Sequence, residues 1–237
     1  MLFFSATLRD ESGEKEGADM IRGAIFDADG TLLDSMGAWD VAAVNYLADL
    51  GVQARPDLKQ TLFPLTLAEC AVYLRQAYGL SRSPAQIEAE IREGMRLFYR
   101  DRVKAKPGAK AFLEALRDRG VRLTLATNTP RSAITEGLGR TGLLPLLDGI
   151  FTTAELGMDK HDPAFFHTVR QAMGTGLEDT WVFEDAVHAA ATAYSAGYHV
   201  AGVADPYSDQ EALRKVCHIY LPELTDFMGF WTKQARL

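Results

Sequence analysis

The chain has 237 residues, of which 47% are hydrophobic and 24% charged, a composition that predicts a folded protein with a substantial core. The net charge of -7 argues against nucleic acid or an anionic membrane surface as the main partner. The two cysteines, Cys70 and Cys217, lie far apart in apolar contexts, and no stretch is apolar enough to cross a membrane. We therefore expect free thiols and a cytoplasmic protein.

The chain begins with a segment that shows no periodic apolar pattern. Its first four residues are apolar, but they are too few for a signal peptide and lack a basic leader. Residues 9–19 are charged and contain glycine. We expect residues 1–19 to be a flexible leader, with Met20 standing immediately before the first strand.

An apolar run from Ile21 to Phe26 predicts a buried strand. It ends abruptly at Asp27, with a second acid at Asp29 and a glycine at Gly30. Residues i and i+2 of a strand share a face, so the two carboxylates converge if the strand continues that far. A divalent cation is an obvious partner for them, although a plain Asp-Gly turn with two solvated acids is the alternative.

A helical block follows. Apolar residues repeat at three and four positions over 36–50, and Gly51 fits a helix end. Thr66 with Glu69 predicts a capping box for a second helix, and Ser83-Pro84 with Gln86 predicts the start of a third. We expect residues 36–105 to be an all-helical cap without strands.

From residue 106 onward, helical and strand patterns alternate. Repeated βα units predict a parallel sheet with helices on both faces. The fold class is therefore α/β with a Rossmann-like core. The domain assignment that follows is a leader at 1–19, a core at 20–35 and 106–237, and a helical cap at 36–105 inserted after the first strand.

Functional sites in open α/β sheets form beyond the carboxyl ends of the strands. Four such ends carry polar residues that suit a metal site beside an anion site, namely Asp27 and Asp29, Thr127 and Asn128, Lys160, and Glu184 and Asp185. Taken singly, each has an ordinary explanation. The threonine and asparagine fit a helix cap, the lysine a solvated loop, and the acidic pair another cap. Their combination in one sheet favours a functional site.

These residues resemble the four ordered motifs of the haloacid dehalogenase superfamily, in the group with a helical cap that includes phosphoglycolate phosphatases and β-phosphoglucomutases. The first motif matches 27–31, and the others match Thr127, Lys160 and the pair at 184–185. The similarity covers nearly the whole chain from Met20 onward. It implies an enzyme, a hydrolase of phosphoric monoesters, with a small phosphorylated metabolite of the sugar phosphate, phosphoglycolate or nucleotide class as substrate.

The resemblance also implies roles for the residues. Asp27 is expected to be the nucleophile that forms an aspartyl-phosphate, and Asp29 to act as general acid and base. Mg²⁺ is expected at Asp27, the backbone carbonyl of Asp29, and Asp185, with Glu184 as a ligand or its support. The phosphoryl oxygens are expected to be held by Thr127, Asn128 and Lys160.

Two alternatives stay open at this point. A sugar phosphomutase of the β-phosphoglucomutase type shares all four motifs, and a catalytically silent regulator that binds a phosphorylated metabolite is a different class. An acid at position 29 counts against the silent regulator, because binding alone does not need it. Within the cap, we expect core positions for the aromatic residues Trp39 and Phe63.

Overall fold

The computed structural model describes residues 21–63 and 65–237, so the expectation for the leader at 1–19 lies outside the described residues. Eight strands form in this part of the chain: β1 Gly23–Phe26, β2 Leu33–Asp34, β3 Lys104–Ala105, β4 Arg122–Thr127, β5 Gly149–Thr152, β6 Thr180–Glu184, β7 His199–Val203 and β8 Ile219–Leu221.

Helices surround and separate these strands. They are α1 Met36–Asp40, α2 Ala42–Asp49, α3 Leu58–Leu62, α4 Leu67–Tyr78, α5 Pro84–Asp101, α6 Ala109–Arg117, α7 Arg131–Thr141, α8 Thr153–Leu156, α9 Pro163–Met173, α10 Val187–Ser195, α11 Gln210–Lys215 and α12 Phe227–Gln234, with a short 3-10 helix at Leu144–Leu146. Among the described residues, none of these helices combines the length and the apolar character that a bilayer crossing requires.

Six strands form one parallel sheet in the order β5-β4-β1-β6-β7-β8. The first strand thus occupies a central position, with Phe26 paired to Leu125 on one side and to Phe183 on the other. The predicted fold class, an α/β protein with a Rossmann-like parallel sheet, is confirmed. Because all six strands run the same way, their carboxyl ends lie along one edge of the sheet, where ligand sites form.

Alternating strand residues bury apolar side chains on both faces of this sheet. Phe26 packs on the face covered by α6 and α12, where its ring stacks on Phe183 with centroids 4.2 Å apart. Ile25 points to the opposite face, where α9 and α10 cover it. Strands buried on both faces read as continuous apolar runs, which is why the sequence pattern identified them.

The helices α1 to α5 stand between β2 and β3, which pair with each other in an antiparallel ribbon of two residues each. These helices have an apolar cluster of their own, which includes Leu47, Leu74 and Ile91. The capping boxes at Thr66 and Ser83 are both present, confirming two predicted helix starts. The boundaries of the core and cap domains stay a prediction.

Several sequence expectations need correction. The predicted single helix over 36–50 is interrupted at Val41, which separates α1 from α2. The block at 36–105 also contains a strand at its end, β3, because the chain pairs with β2 on its way back to the large sheet. Phe63 is 85% exposed and does not belong to the core, whereas Trp39 packs against the main apolar cluster.

Candidate active site

Three acids and one lysine meet at the carboxyl edge of the sheet. Asp27, Glu184 and Asp185 are buried and each offers a carboxylate oxygen within 4.8 Å of the others. The amino group of Lys160 is buried among them, where it contacts Oδ1 of Asp27 and lies 2.9 Å from Oε2 of Glu184. We refer to these four residues as the acid cluster.

The strand register explains why these residues meet. Phe26 pairs with Phe183 in adjacent parallel strands, so the residues that follow, Asp27 and Glu184, emerge at the same level. The backbone N–H of Asp27 donates to the carbonyl oxygen of Phe183 at 2.9 Å, which extends the pairing of the two strands to Asp27. Beyond it the first strand ends, so Asp29 does not share a strand face with Asp27 as the sequence suggested.

Gly30 allows the turn after β1 to pass close to Asp185. Its φ angle of +85° lies in the left-handed region that favours glycine. A Cβ atom at this position would lie 2.3 Å from Oδ2 of Asp185. A larger residue would therefore displace the carboxylate of Asp185. Glycine is needed here both for its positive φ angle and for the space that the carboxylate occupies.

Burial shifts the protonation equilibria of the acid cluster. It raises the pKa of Asp27, although the charge of Lys160 opposes the shift, and it raises the pKa of Glu184 well above its usual range. Burial, together with the charge of Asp27, raises the pKa of Asp185 to about 7. Burial alone would lower the pKa of Lys160, but the charges of Asp27 and Glu184 outweigh it and raise that pKa.

This arrangement suits a divalent cation. Three buried acids face one buried lysine, so the cluster has more negative than positive charge when the acids are ionised. Buried charge of this kind is costly unless it is paired or bound to a metal. Oxygen ligands from a few carboxylates are typical of Mg²⁺, so the donors present fit this ion.

Asp29 lies beside the acid cluster but has different partners. Its Oδ1 accepts a hydrogen bond from the hydroxyl of Ser35 at 2.6 Å and another from the hydroxyl of Tyr99. Its Oδ2 accepts a hydrogen bond from Oγ1 of Thr129 at 2.6 Å. Three hydroxyl groups from three parts of the chain therefore hold the side chain of Asp29.

Sequence reasoning identified none of these three hydroxyl donors. Tyr99 belongs to α5 and lies 70 residues from Asp29 in the chain, and it is fully buried. Its hydroxyl accepts a hydrogen bond from Nε1 of Trp39 at 2.9 Å. Burial and the charge of Asp29 raise the pKa of Tyr99 well above its usual range, so the phenol keeps its proton. Of the three donors, Thr129 is the one with a local sequence signal, because it lies two residues after the motif residue Thr127.

The two residues after β4 lie in different environments. Thr127 is buried at the end of the strand, and its Oγ1 accepts a hydrogen bond from the backbone N–H of Thr129 at 3.0 Å. Asn128 is exposed. The structure thus brings Thr127 to the same edge as the acid cluster, while the side chain of Asn128 is open to solvent.

A loop after β7 supports Asp185 from outside the predicted motifs. The hydroxyl of Ser208 donates to Oδ2 of Asp185 at 2.8 Å, and Thr31 donates to Oδ1 at 3.5 Å. The same loop is held by a partly buried ion pair of 2.9 Å between Lys106 and Asp205. Neither Ser208 nor this ion pair carries a local sequence signal, because the partners are far apart in the chain.

Comparison with known proteins agrees with this site. A family model described as haloacid dehalogenase-like hydrolase matches residues 21–197. The chain is 26% identical over 190 residues to the phosphorylated carbohydrates phosphatase of Thermotoga maritima, covering 80% of this chain and 88% of that protein. It is 30% identical over 199 residues to the phosphoglycolate phosphatase of Cereibacter sphaeroides, covering 78% of this chain and 86% of that protein.

Among solved structures, the putative β-phosphoglucomutase from Thermotoga maritima has a TM-score of 0.78 and 25% sequence identity, covering 90% of this chain and 99% of that one. The fold, the acid cluster at the carboxyl edge of the sheet, which Lys160 joins from the loop after α8, and the family match together identify the class of protein as an α/β hydrolytic enzyme. The chain belongs to the haloacid dehalogenase-like hydrolase family. The predicted family and the predicted enzyme class, a hydrolase, are confirmed.

Proposed function

We propose that this protein is a Mg²⁺-dependent phosphatase that hydrolyses small phosphomonoesters through an aspartyl-phosphate on Asp27. The observation that carries the proposal is the buried acid cluster, in which Asp27 lies beside Lys160, Glu184 and Asp185 at the carboxyl edge of the sheet. Such a cluster provides a nucleophile, a cation for phosphoryl oxygens and ligands for a metal ion. Relatives of similar length that are named as phosphatases support the same reaction class.

The metal ligands in this proposal are the side chains of Asp27 and Asp185 and the backbone carbonyl of Asp29, with Glu184 as a ligand or as the support of Lys160. Mg²⁺ bound there would neutralise part of the repulsion between the carboxylate nucleophile and the phosphate. Ser208 and Thr31 would keep the carboxylate of Asp185 oriented, since both donate to it. Such supporting hydrogen bonds commonly affect metal affinity.

The reaction proceeds in two transfers. A carboxylate oxygen of Asp27 attacks the phosphorus, the bond from phosphorus to the ester oxygen breaks, and Asp29 gives its proton to the departing alcohol. Asp29 then takes a proton from a water molecule, whose oxygen attacks the phosphorus and breaks its bond to Asp27. Inorganic phosphate leaves, and both acids return to their starting states.

Residues around this centre hold the phosphoryl group. Lys160 already contacts Asp27 and can neutralise an oxygen of the transferred group. Thr127 and the exposed Asn128 stand at the neighbouring strand end and are proposed as further donors. Their position beside β1 follows from the pairing of β4 with β1 in the parallel sheet.

The proposed substrate is a small phosphorylated metabolite, in the class of sugar phosphates or phosphoglycolate. The names of the relatives, a phosphorylated carbohydrates phosphatase and a phosphoglycolate phosphatase, support this range. The formal charge of -7 does not favour nucleic acid as a partner. A cytoplasmic location stays a prediction from the cysteine content.

The proposal is tested with p-nitrophenyl phosphate in the presence of Mg²⁺ and again in excess EDTA. We expect turnover that requires the metal, and a rapid acid quench should show one phosphoryl group on the peptide that contains Asp27. Asp27→Asn should lower kcat by about 10³-fold or more, as for other nucleophile replacements. Asp29→Asn should lower it by about 10²- to 10⁴-fold.

The matched control is Asp57→Asn, which changes an exposed acid at the start of α3 and should leave kcat unchanged. Full activity in EDTA would remove the metal from the mechanism. Near wild-type kcat for Asp27→Asn would contradict the assignment of the nucleophile.

A further inference from the structure

We propose that Tyr99 is a positioning residue for the reaction, which aims the carboxyl group of Asp29 at the leaving oxygen. This inference rests on the proposed function, because it assumes that Asp29 is the general acid. Its basis is a chain of hydrogen bonds that starts at Trp39, passes through Tyr99 and ends at Oδ1 of Asp29.

The direction of each hydrogen bond in this chain follows from the donors available. The indole N–H of Trp39 can only donate, so the hydroxyl oxygen of Tyr99 is the acceptor of that bond, at 2.9 Å. The hydroxyl group of Tyr99 has one hydrogen, which is therefore available for a hydrogen bond to Asp29. Trp39 thus orients the hydroxyl of Tyr99 so that it donates to Oδ1 of Asp29.

The tyrosine is also fixed by packing. Its side chain is fully buried, and a Cβ atom on Gly137 of α7 would lie 3.0 Å from the ring. The absence of a side chain at Gly137 thus lets α5 approach α7 closely enough for the hydroxyl of Tyr99 to reach Asp29. A buried hydroxyl that is held by packing and by a second hydrogen bond loses little freedom when it binds its acceptor.

Tyr99 lies on α5, the last helix of the helical block between β2 and β3, whereas Asp29 follows the central strand of the sheet. The helical block therefore contributes a hydroxyl to the proposed general acid. The same carboxyl group also accepts hydrogen bonds of 2.6 Å from Ser35, just before α1, and from Thr129, just after β4. Losing Tyr99 would leave one donor on each oxygen of Asp29 and remove the hydrogen bond from the helical block, so the carboxyl group would be aimed less closely at the leaving oxygen.

The test compares two aryl phosphates that differ in how much their leaving group needs a proton. The leaving group of p-nitrophenyl phosphate departs readily as an anion, whereas that of phenyl phosphate is much more basic and benefits from a general acid. Since kcat/KM reports steps up to formation of the aspartyl-phosphate, it isolates the transfer in which Asp29 donates.

For Tyr99→Phe we expect kcat/KM to fall by about 10-fold for phenyl phosphate, the effect of one charge-assisted hydrogen bond, and by less than about threefold for p-nitrophenyl phosphate. Trp39→Phe should show the same selective loss at about threefold, because the hydroxyl of Tyr99 remains but is no longer oriented by the indole N–H. If Tyr99→Phe unfolds at the assay temperature, the Trp39→Phe result decides.

The matched control is Tyr46→Phe, which removes another buried tyrosine hydroxyl, one that donates to Glu90 within the helical block at 2.8 Å. It should change kcat/KM equally for both substrates, by less than about twofold. Equal losses for both substrates in Tyr99→Phe would indicate a purely structural role and overturn the inference.

The Asp29→Asn variant separates failure of this inference from failure of the proposed function. A selective loss with phenyl phosphate in Asp29→Asn but not in Tyr99→Phe would refute only the role of Tyr99. No selective loss in Asp29→Asn would refute the general acid itself. A wild-type enzyme without activity on either ester would refute the proposed function, and with it the role of Tyr99.

Discussion

The hydroxyl group of Ser208 donates a hydrogen bond of 2.8 Å to Oδ2 of Asp185. The serine stands in the loop after β7, outside all four motifs, yet it contacts the acid that we propose as a metal ligand. Hydrogen bonds of this kind fix the orientation of a ligand, and their loss commonly weakens metal binding by about 10- to 100-fold.

Ser208→Ala should therefore weaken Mg²⁺ binding by about 10-fold, measured by isothermal titration calorimetry, while the melting temperature in EDTA changes little. The matched control is Ser83→Ala, which removes the cap of α5. It should lower stability by about 1 kcal/mol and leave the Mg²⁺ affinity as it was. Equal affinities in Ser208→Ala and the wild type would contradict a role for this hydrogen bond.

Lys160 is the cation of the acid cluster, and its replacement should destabilise the protein. Lys160→Met retains much of the side-chain volume but leaves Asp27 and Glu184 buried without their partner. Breaking a buried pair in this way costs about 3–5 kcal/mol in the free energy of unfolding. Urea denaturation should show this loss, and excess Mg²⁺ should restore part of it because the ion supplies positive charge to the same acids.

The control for this variant is Lys59→Met, which breaks a partly exposed ion pair with Asp40. Such pairs contribute about 0–1 kcal/mol, so this variant should unfold almost as the wild type does. A Lys160→Met protein as stable as Lys59→Met would show that the acid cluster does not depend on its lysine.

Stability without metal should fall as the pH rises. The pKa of Asp185 is raised from 3.8 to about 7, so between these values the folded chain holds a proton that the unfolded chain has released. Stability decreases with pH wherever the folded state binds more protons. Mg²⁺ bound at Asp185 would displace this proton, so the gain in melting temperature on adding Mg²⁺ should increase as the pH rises toward about 7.

Differential scanning calorimetry in EDTA and in excess Mg²⁺ measures this gain. Asp185→Asn, which lacks this carboxyl group, should lose the part of the pH dependence that Asp185 contributes and most of the Mg²⁺ effect, while Asp27 and Glu184 still contribute theirs. A gain in melting temperature that stays constant across the pH range in the wild type would count against metal binding at Asp185.

Hydrolysis rather than isomerisation is the expected net reaction. Both outcomes begin with phosphorylated Asp27, but a mutase must also hold a second phosphate and keep water out of the closed site. We expect β-glucose 1-phosphate, supplied with Mg²⁺ and a trace of glucose 1,6-bisphosphate, to give free phosphate and little glucose 6-phosphate.

The matched measurement is the rate of phosphate release from the same sugar phosphate without the bisphosphate. For a phosphatase, this rate should be the same with and without the bisphosphate. Glucose 6-phosphate formed much faster than free phosphate would replace the phosphatase with a mutase. If neither product forms, this sugar phosphate is not a substrate. Hydrolysis is then tested with p-nitrophenyl phosphate alone.

Features that depend on neighbouring residues could be predicted from the sequence. The capping boxes at Thr66 and Ser83 need only a residue three positions away, and both form as predicted. The central strands could be predicted because a parallel strand buried on both faces is a continuous apolar run. Short elements without such a run were missed, among them α3 and the edge strand β8.

The sequence by itself determined the α/β class and the polar residues that follow the strands, because parallel strands must present their carboxyl ends at one edge. Only the tertiary structure decided which of those residues meet. Asn128 is exposed although it follows Thr127, whereas Tyr99 and Ser208 reach Asp29 and Asp185 from distant segments. Such contacts depend on how helices and loops pack over the sheet, and the pattern around a single residue does not contain that information.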